Sequence, residues 1–183
     1  MANLKLENNP VSTITQEIFD KTQKALGFVP NMYKSMGNNP ALLDSYIYAY
    51  NSFRANSGFN SVEQEVVFLS VAYENNCEYC MAAHSFIGDK MSKVPTEVTD
   101  AIRDGKQVPD VKLAALSKLT RSLTANRGNV SQDETDEFLA AGFTEIQILG
   151  IIAGIAVKTI SNYSNHNTNP VLDDAFAGRA WKK

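Results

Sequence analysis

The sequence predicts an all-α domain of about eight helices with no sheet, and three observations carry that prediction. Apolar residues recur at helical spacing along most of the chain, alternating strand patterns are nearly absent, and capping and breaking residues mark element ends at short intervals. At 183 residues, 44% of them hydrophobic, the chain can bury a core without covalent staples. It carries no linker, low-complexity stretch or long-period repeat, so residues 1–183 read as one domain.

The elements follow in order. Ser12 or Thr13 can cap a helix bearing Ile14, Ile18, Phe19 and Leu26 that stops at Gly27. A short segment spans Pro30 to Met36. Asn39-Pro40, a capping residue followed by proline at the first helical position, opens a helix with Leu42, Leu43, Tyr46, Ile47 and Tyr50 that runs to about Asn56. Ser61 with Gln64 resembles a capping box and begins a helix through Val62, Val66, Phe68, Leu69 and Ala72, which Asn75-Asn76 breaks. The next helix runs from near Asn76 to about Gly88. Pro95 starts a short helix ending near Gly105. Asp110 to about Asn126 carries Val111, Leu116, Leu119 and Leu123, and Ser131 with Glu134 forms a second capping box leading to Phe138, Leu139 and Gly142. Thr144 opens the last helix, to about Asn165.

Within that last helix the longest apolar run, Ile146 to Val157, is shorter than the roughly 18 to 20 residues that cross a bilayer. It reads as a buried helix. Gly150 and Gly154, four apart, let a neighbouring helix approach closely, either within the domain or from another subunit.

Composition narrows the function classes. A net charge of −3 excludes a strongly basic nucleic-acid surface, and no membrane association is expected. The first ten residues do not read as a signal peptide, which points to a reducing, cytoplasmic setting. The triplets at Asn129 and Asn162 that match a glycosylation acceptor then carry no weight.

The chemistry concentrates at Cys77-Glu78-Tyr79-Cys80-Met81-Ala82-Ala83-His84, which holds the only two cysteines of the chain. On a helix, Cys77, Cys80 and His84 at i, i+3 and i+7 share one stripe, so two thiols and an imidazole can meet. A helix starting near Asn76 places both cysteines in its first turn, where the dipole favours thiolate, and both are expected to be more acidic than a free thiol. The break at Asn75-Asn76 folds the preceding helix back antiparallel. At 1.5 Å per residue Glu65 then lies about 16 Å from the turn and His84 about 12 Å, within one helical turn of the same level. Glu74 and Glu78 are too near the turn, and Glu63 is about 160° around the helix from Glu65. Nucleophile, base and orienting carboxylate are thereby available in Cys80, His84 and Glu65.

At these residues the sequence resembles the alkylhydroperoxidase D-like family within the carboxymuconolactone decarboxylase superfamily. The matching pattern is Glu65, eleven residues, Cys77-x-x-Cys80, three residues, His84; a looser match covers the flanking helices and Asn162-Tyr163-x-Asn165-His166 with Pro170, similar to the family's peroxidase-related members. The resemblance implies an all-α fold assembled into homotrimers or homohexamers. It implies a thiol-dependent hydroperoxide reductase in which Cys80 attacks the peroxide, Cys77 resolves it, and His84 with Glu65 relays protons. No metal or bound cofactor is implied, and an external lipoyl or thioredoxin-type dithiol is the partner that restores the thiols. Tyr79 stands where the best-described peroxidases of the family carry a histidine, and a tyrosine is no base near neutral pH. His166 is either a second site residue or a helix-end histidine, the latter being favoured.

Three other readings remain. The pair could serve a disulfide oxidoreductase or a redox-sensing helical oligomer. Cys77, Cys80, His84 and Glu65 could supply four zinc ligands, although such sites usually draw on more than one short segment. A lactone decarboxylase relative fits less well, because that chemistry does not rest on a paired thiol.

Overall fold

The computed structural model describes residues 4, 6 and 12–183, and they form nine α-helices without a strand. In chain order these are α1 (Thr13–Leu26), α2 (Asn31–Met36), α3 (Pro40–Asn56), α4 (Ser61–Glu74), α5 (Glu78–Ile87), α6 (Thr96–Arg103), α7 (Val111–Ala125), α8 (Gln132–Ala140) and α9 (Glu145–Thr168). A π-helical turn, Gly88–Ser92, extends α5, and a 3₁₀ helix, Asp174–Arg179, follows α9. Eight of the α-helices have seven or more residues, in agreement with the expected number. The stretch Met1 to Pro10, considered above for a leader, lies outside the described residues except at Leu4 and Leu6.

Local chemistry explains most boundaries. Gly27 closes α1 with φ +81°, a conformation glycine adopts without strain. Asn39 accepts the Leu42 amide, and Pro40 stands at the first position of α3. The Ser131–Glu134 capping box forms as expected. The one at α4 does not: Asn60, not Ser61, is the cap, and Glu63, not Gln64, reaches back to its amide. Gln64 instead donates to the carbonyls of Arg54 and Phe59, tying the loop before α4 to its first turn.

Helix α4 is the centre of the domain. Its residues from Glu63 through Ala72 are all buried, because α5, α6, α7 and α9 pack around it. A helix apolar on every side belongs in such a position. Ser70 meets Ser117 of α7 at 2.8 Å, which satisfies two hydroxyls inside that packing. Helix α9 crosses α3 and α4 through its two glycines: a Cβ on Gly150 would lie 2.5 Å from the Ser57 carbonyl oxygen, and one on Gly154 would lie 2.7 Å from Val67 Cγ1. The close approach anticipated at these glycines is therefore made within the domain.

Three patterns depart from the sequence reading. Ile14 and Leu26 are half exposed while Thr15, bonded to the Gly37 carbonyl, is buried. Val111 is exposed at the start of α7. Helix α9 has 24 residues, twice the apolar run within it, so by length and composition it could cross a membrane. Its Gly150, Ile151, Gly154, Val157 and Lys158 face the core instead, as buried-helix residues, while Ile146, Leu149, Ile152 and Tyr163 line its other side in the open.

Candidate functional site

The turn between α4 and α5 sets the site. Asn76 adopts φ +53°, the Asn76 amide donates to the Tyr73 carbonyl at 3.1 Å, and the Cys77 amide donates to the Ala72 carbonyl at 2.9 Å. These two bonds close the end of α4 through a left-handed residue and reverse the chain. The Cys77 carbonyl then accepts the Met81 amide at 2.9 Å, so Cys77 is the N-cap of α5 and not part of its first turn. Cys80 occupies the third helical position, and both cysteines are free thiols, buried.

Helix α9 covers this stripe with one of its own. Asn165 Nδ2 lies 3.3 Å from Cys80 Sγ, 3.6 Å from Cys77 Sγ and 3.4 Å from Met32 Sδ. One turn earlier, the Ser161 hydroxyl lies 3.6 Å from Cys80 Sγ. Another turn back stands Lys158, fully buried, with no hydrogen-bond partner for Nζ. Its charge acts on Cys77, Cys80 and His84. Lys158, Ser161 and Asn165 thus repeat the i, i+3, i+7 spacing of Cys77, Cys80 and His84, in the opposite direction.

Behind the sulfurs, Glu65 and His84 meet as their positions on antiparallel helices require. His84 Nδ1 lies 2.8 Å from Glu65 Oε2, and Arg54 binds the other carboxylate oxygen. Arg54 is itself held by Tyr50 and Gln64 and lies over the Phe68 ring at 4.8 Å, while the imidazole packs on that ring at 4.8 Å between centroids. Burial pushes the Glu65 carboxyl up, but His84 and Arg54 outweigh it and hold the group low, as carboxylate. Burial, then Lys158, push His84 down despite Glu65, so the imidazole is neutral. A carboxylate only accepts, so Nδ1 carries the proton and Nε2 is left with a free lone pair.

The two thiols differ sharply. The neighbouring Cys80 thiol pulls Cys77 down to about 6, with Lys158 and Asn165 aiding against burial. Burial, followed by the Cys77 charge, pushes Cys80 well up. The expectation that both would be acidic is corrected here: two anions cannot share one buried space, so the pair keeps one proton on Cys80 beside a Cys77 thiolate.

The remaining predicted residues lie at the edge. Tyr79 is buried, its hydroxyl donates to Asp173, and its ring meets Phe176 edge-on at 6.1 Å. Burial and Asp173 both raise it, so it stays neutral. It clamps the segment after α9 onto the motif helix. His166 stacks on Tyr163 at 6.5 Å and makes no hydrogen bond to either sulfur. It does line a cavity of about 410 Å³, with Cys77, Tyr79, Asn165, Leu172 and Trp181, that opens onto the Cys77 side of the pair. A larger groove, about 850 Å³ along α7 and α8, shares none of these residues. Among the described residues no group of three or more His, Cys, Asp or Glu side chains is arranged to hold a metal; Glu65 and His84 are engaged with each other and with Arg54.

Sequence patterns for Cys77, Cys80, His84 and Glu65 were sufficient to find the α5 half of the site and its carboxylate. Lys158, Ser161 and Arg54 were missed, and Asn165 figured only as part of the C-terminal segment of the resemblance, without its contacts to the two sulfurs. One signal existed for Lys158: it lies four residues after Gly154, on the same face of an apolar helix.

No family model matches the sequence, and no curated protein matches it by sequence comparison. Solved structures do match the fold. An uncharacterized peroxidase-related protein from Silicibacter sp. TM1040 is 21% identical, with 97% of this chain and 95% of that one covered and a TM-score of 0.83. An uncharacterized peroxidase-related protein from Ralstonia eutropha JMP134, described as an alkylhydroperoxidase AhpD core, is 20% identical over 98% of this chain and 100% of that one, with a TM-score of 0.82. A variant of the debrominase Bmp8 in complex with 2,3,4-tribromopyrrole is 16% identical over 97% of both chains, with a TM-score of 0.76. The chain therefore has the AhpD-like fold.

Proposed function

We propose that the chain is a thiol-dependent hydroperoxide reductase in which Cys80 is the peroxide-attacking sulfur and Cys77 the resolving one. The observation that carries this reading is geometric: Glu65 Oε2 holds His84 Nδ1 at 2.8 Å, leaving Nε2 free one turn along α5 from Cys80, and Asn165 Nδ2 reaches both sulfurs, at 3.3 Å from Cys80 and 3.6 Å from Cys77. Cys80 sulfur bonds to the terminal oxygen of ROOH as the O–O bond breaks. His84 Nε2 takes the Cys80 proton and passes it to the leaving alkoxide, which departs as ROH. The Cys77 thiolate then attacks the Cys80 sulfenic acid, forming the disulfide and releasing hydroxide. An external dithiol of lipoyl or thioredoxin type returns two electrons, and attack at Cys77 through the 410 Å³ cavity fits the only sulfur that lines it. Tyr79 takes no part in proton transfer in this scheme, since its hydroxyl is committed to Asp173.

A second reading, dithiol–disulfide exchange without peroxide, is favoured by one observation: the acidic sulfur is the one facing the cavity. A homotrimer or homohexamer is part of the proposal. The exposed Ile146, Leu149, Ile152 and Tyr163 along α9, with Tyr48 of α3 also exposed, supply apolar surface for it. A cytoplasmic setting suits the reduced pair.

Steady-state hydroperoxide consumption with dihydrolipoamide or reduced thioredoxin is the test. Cys80→Ser should abolish turnover, and Cys77→Ser should stop after one equivalent with a sulfenic acid trapped at Cys80 by dimedone. Unchanged turnover in Cys80→Ser overturns the assignment, and disulfide reduction without peroxide consumption selects the second reading.

A further inference from the structure

Asn165 touches both sulfurs and still has an unused end. It is 5% exposed, and its Nδ2 reaches Cys80 Sγ at 3.3 Å and Cys77 Sγ at 3.6 Å, while its Oδ1 is buried without a hydrogen-bond partner. Asn165 lines the cavity of about 410 Å³ beside Cys77. His166 lines it too, and its Nε2 is likewise buried and unpartnered. Buried polar atoms left unmatched are costly, and two of them at the wall of a cavity are matched by a ligand that carries the complementary groups.

The positions of these atoms restrict the ligand. An amide oxygen only accepts, so Asn165 Oδ1 calls for an N–H or O–H. Nδ2 and Oδ1 share one carbon, so Oδ1 is no farther than about 6 Å from Cys77 Sγ. The donor must therefore stand close to whatever attacks that sulfur. An amide nitrogen two carbons from a thiol lies about 3–4 Å from it in staggered forms, which spans the gap between an attacking sulfur and the acceptor. The carbonyl of the same amide can accept from His166 Nε2. In a lipoyl arm the amide stands at the far end of a four-methylene chain, too remote for either. Pro170, Leu172 and Trp181 supply apolar wall; among the described residues no lysine or arginine lines the cavity and Glu78 does, which favours a neutral arm over an anionic one.

We propose that this cavity is a binding site for β-amidothiols, in which Asn165 Oδ1 accepts the amide N–H of the ligand while its sulfur attacks Cys77. The attacking thiol gives up its proton, its sulfur bonds to Cys77 Sγ, and the bond to Cys80 breaks as Cys80 takes up a proton. A second thiol attacks the ligand's sulfur, frees Cys77 and gives up its own proton to it, so two thiols become one disulfide as the protein disulfide gains two electrons. A cysteine within a peptide and a pantetheine arm share this unit. The inference rests on the disulfide of the reading above and names the thiol that reduces it.

The test compares two thiols that differ at one atom. The full chain, oxidised with diamide, is mixed with N-acetylcysteamine or with 2-mercaptoethyl acetate, in which oxygen replaces the N–H, and reduction is followed by mass spectrometry after acid quenching. Each rate is divided by the rate of the same thiol with hydroxyethyl disulfide, which removes intrinsic reactivity. The wild type should favour the amide about tenfold, as the ester leaves Oδ1 unmatched, and Asn165→Leu should lose the preference. Equal normalised rates in the wild type overturn the proposal whether or not the variant folds, and so does a preference that survives in folded Asn165→Leu. A chain in which diamide forms no Cys77–Cys80 disulfide overturns it as well. N-acetylcysteine methylamide against pantetheine then separates a peptide source from a pantetheine source by the faster normalised rate. Failure of the peroxidase reading would look different: no hydroperoxide turnover, with the amide preference intact.

Discussion

His84 Nδ1 and Glu65 Oε2 lie 2.8 Å apart across the antiparallel α4–α5 pair, and the second Glu65 oxygen is bound by Arg54. The carboxylate is wholly buried, so it must answer a cation and an imidazole N–H at once. Its two acceptor oxygens do so without leaving either partner unmatched.

Glu65→Gln keeps the shape of the side chain but removes that charge. Arg54 would retain Tyr50 and Gln64 yet lose its counter-ion, and a buried pair broken on one side costs about 3 kcal/mol or more. Urea unfolding should show that loss. Hydroperoxide turnover should fall by about 10²-fold to 10⁴-fold, the usual contribution of a positioned base. Wild-type turnover in a folded Glu65→Gln protein would remove the relay from the mechanism.

Cys77 predicts a pH dependence. Its thiol is drawn down to about 6 in the folded chain, below the ordinary thiol value, so between those two pH values the unfolded chain binds the extra proton. Stability from this group is therefore fully present above the unfolded value and is lost as pH falls through about 6. Reduced wild type should gain stability relative to Cys77→Ser as pH rises from 6 towards 9. Absorbance at 240 nm should register one thiolate over the lower part of that range. A difference in stability that does not change with pH would show that Cys77 keeps its proton.

The contrast between the two halves of the site follows from how each is written in the chain. Cys77, Cys80 and His84 are neighbours on one helix, and Glu65 is reached across a single turn, so spacing and rise per residue suffice to bring them together. The opposing stripe comes from α9, some eighty residues further on, and its register against α5 depends on where Gly150 and Gly154 let the helices touch. Ser161 gives no sign of its partner in local sequence, and Asn165 stands out only as part of the segment Asn162 to His166, with nothing there to say that it meets the two sulfurs. Lys158 does differ from its apolar surroundings, but only the depth of the packing distinguishes a buried lysine from one whose head reaches solvent. Only Cys80 departs from the expected acidity, and for the same reason: the dipole is local, whereas the burial that raises Cys80 is set by the packing around it.

Tyr79→Phe tests the clamp. The hydroxyl donates to Asp173, which also accepts the Asn31 amide at 3.2 Å, so one hydrogen bond joins α5 to the starts of α2 and of the 3₁₀ helix. Its loss leaves a buried carboxylate one donor short, a cost of roughly 1–3 kcal/mol. The ring and its contact with Phe176 remain. Thermal unfolding should reveal the destabilisation, with hydroperoxide turnover near that of wild type at temperatures where the variant is folded. A comparable loss of turnover in a stable protein would make Tyr79 part of the chemistry.

Gly154→Ala links the packing of α9 to the thiols. In an exposed helix this change is worth up to about 1 kcal/mol of stability, since alanine is the better helix former. Here the new Cβ would fall 2.7 Å from Val67 Cγ1 and 2.9 Å from Phe53 Cε2, both in the core, where neither side chain has free space to yield. Overpacking of that kind costs typically 1–3 kcal/mol and outweighs the gain. Helix α9 must shift outward by a few tenths of an ångström, and Lys158, one turn further along the same face, shifts with it. The Lys158 cation aids the ionisation of Cys77, so its retreat should raise the pH at which the Cys77 thiolate forms. Gly154→Ala is therefore expected to lower stability and to move the 240 nm titration upward together, whereas Gly150→Ala, two turns from Lys158 and against the Ser57 carbonyl, should lower stability with little change in the titration. An unmoved titration in Gly154→Ala would mean that the close approach of α9 does not set the acidity of Cys77.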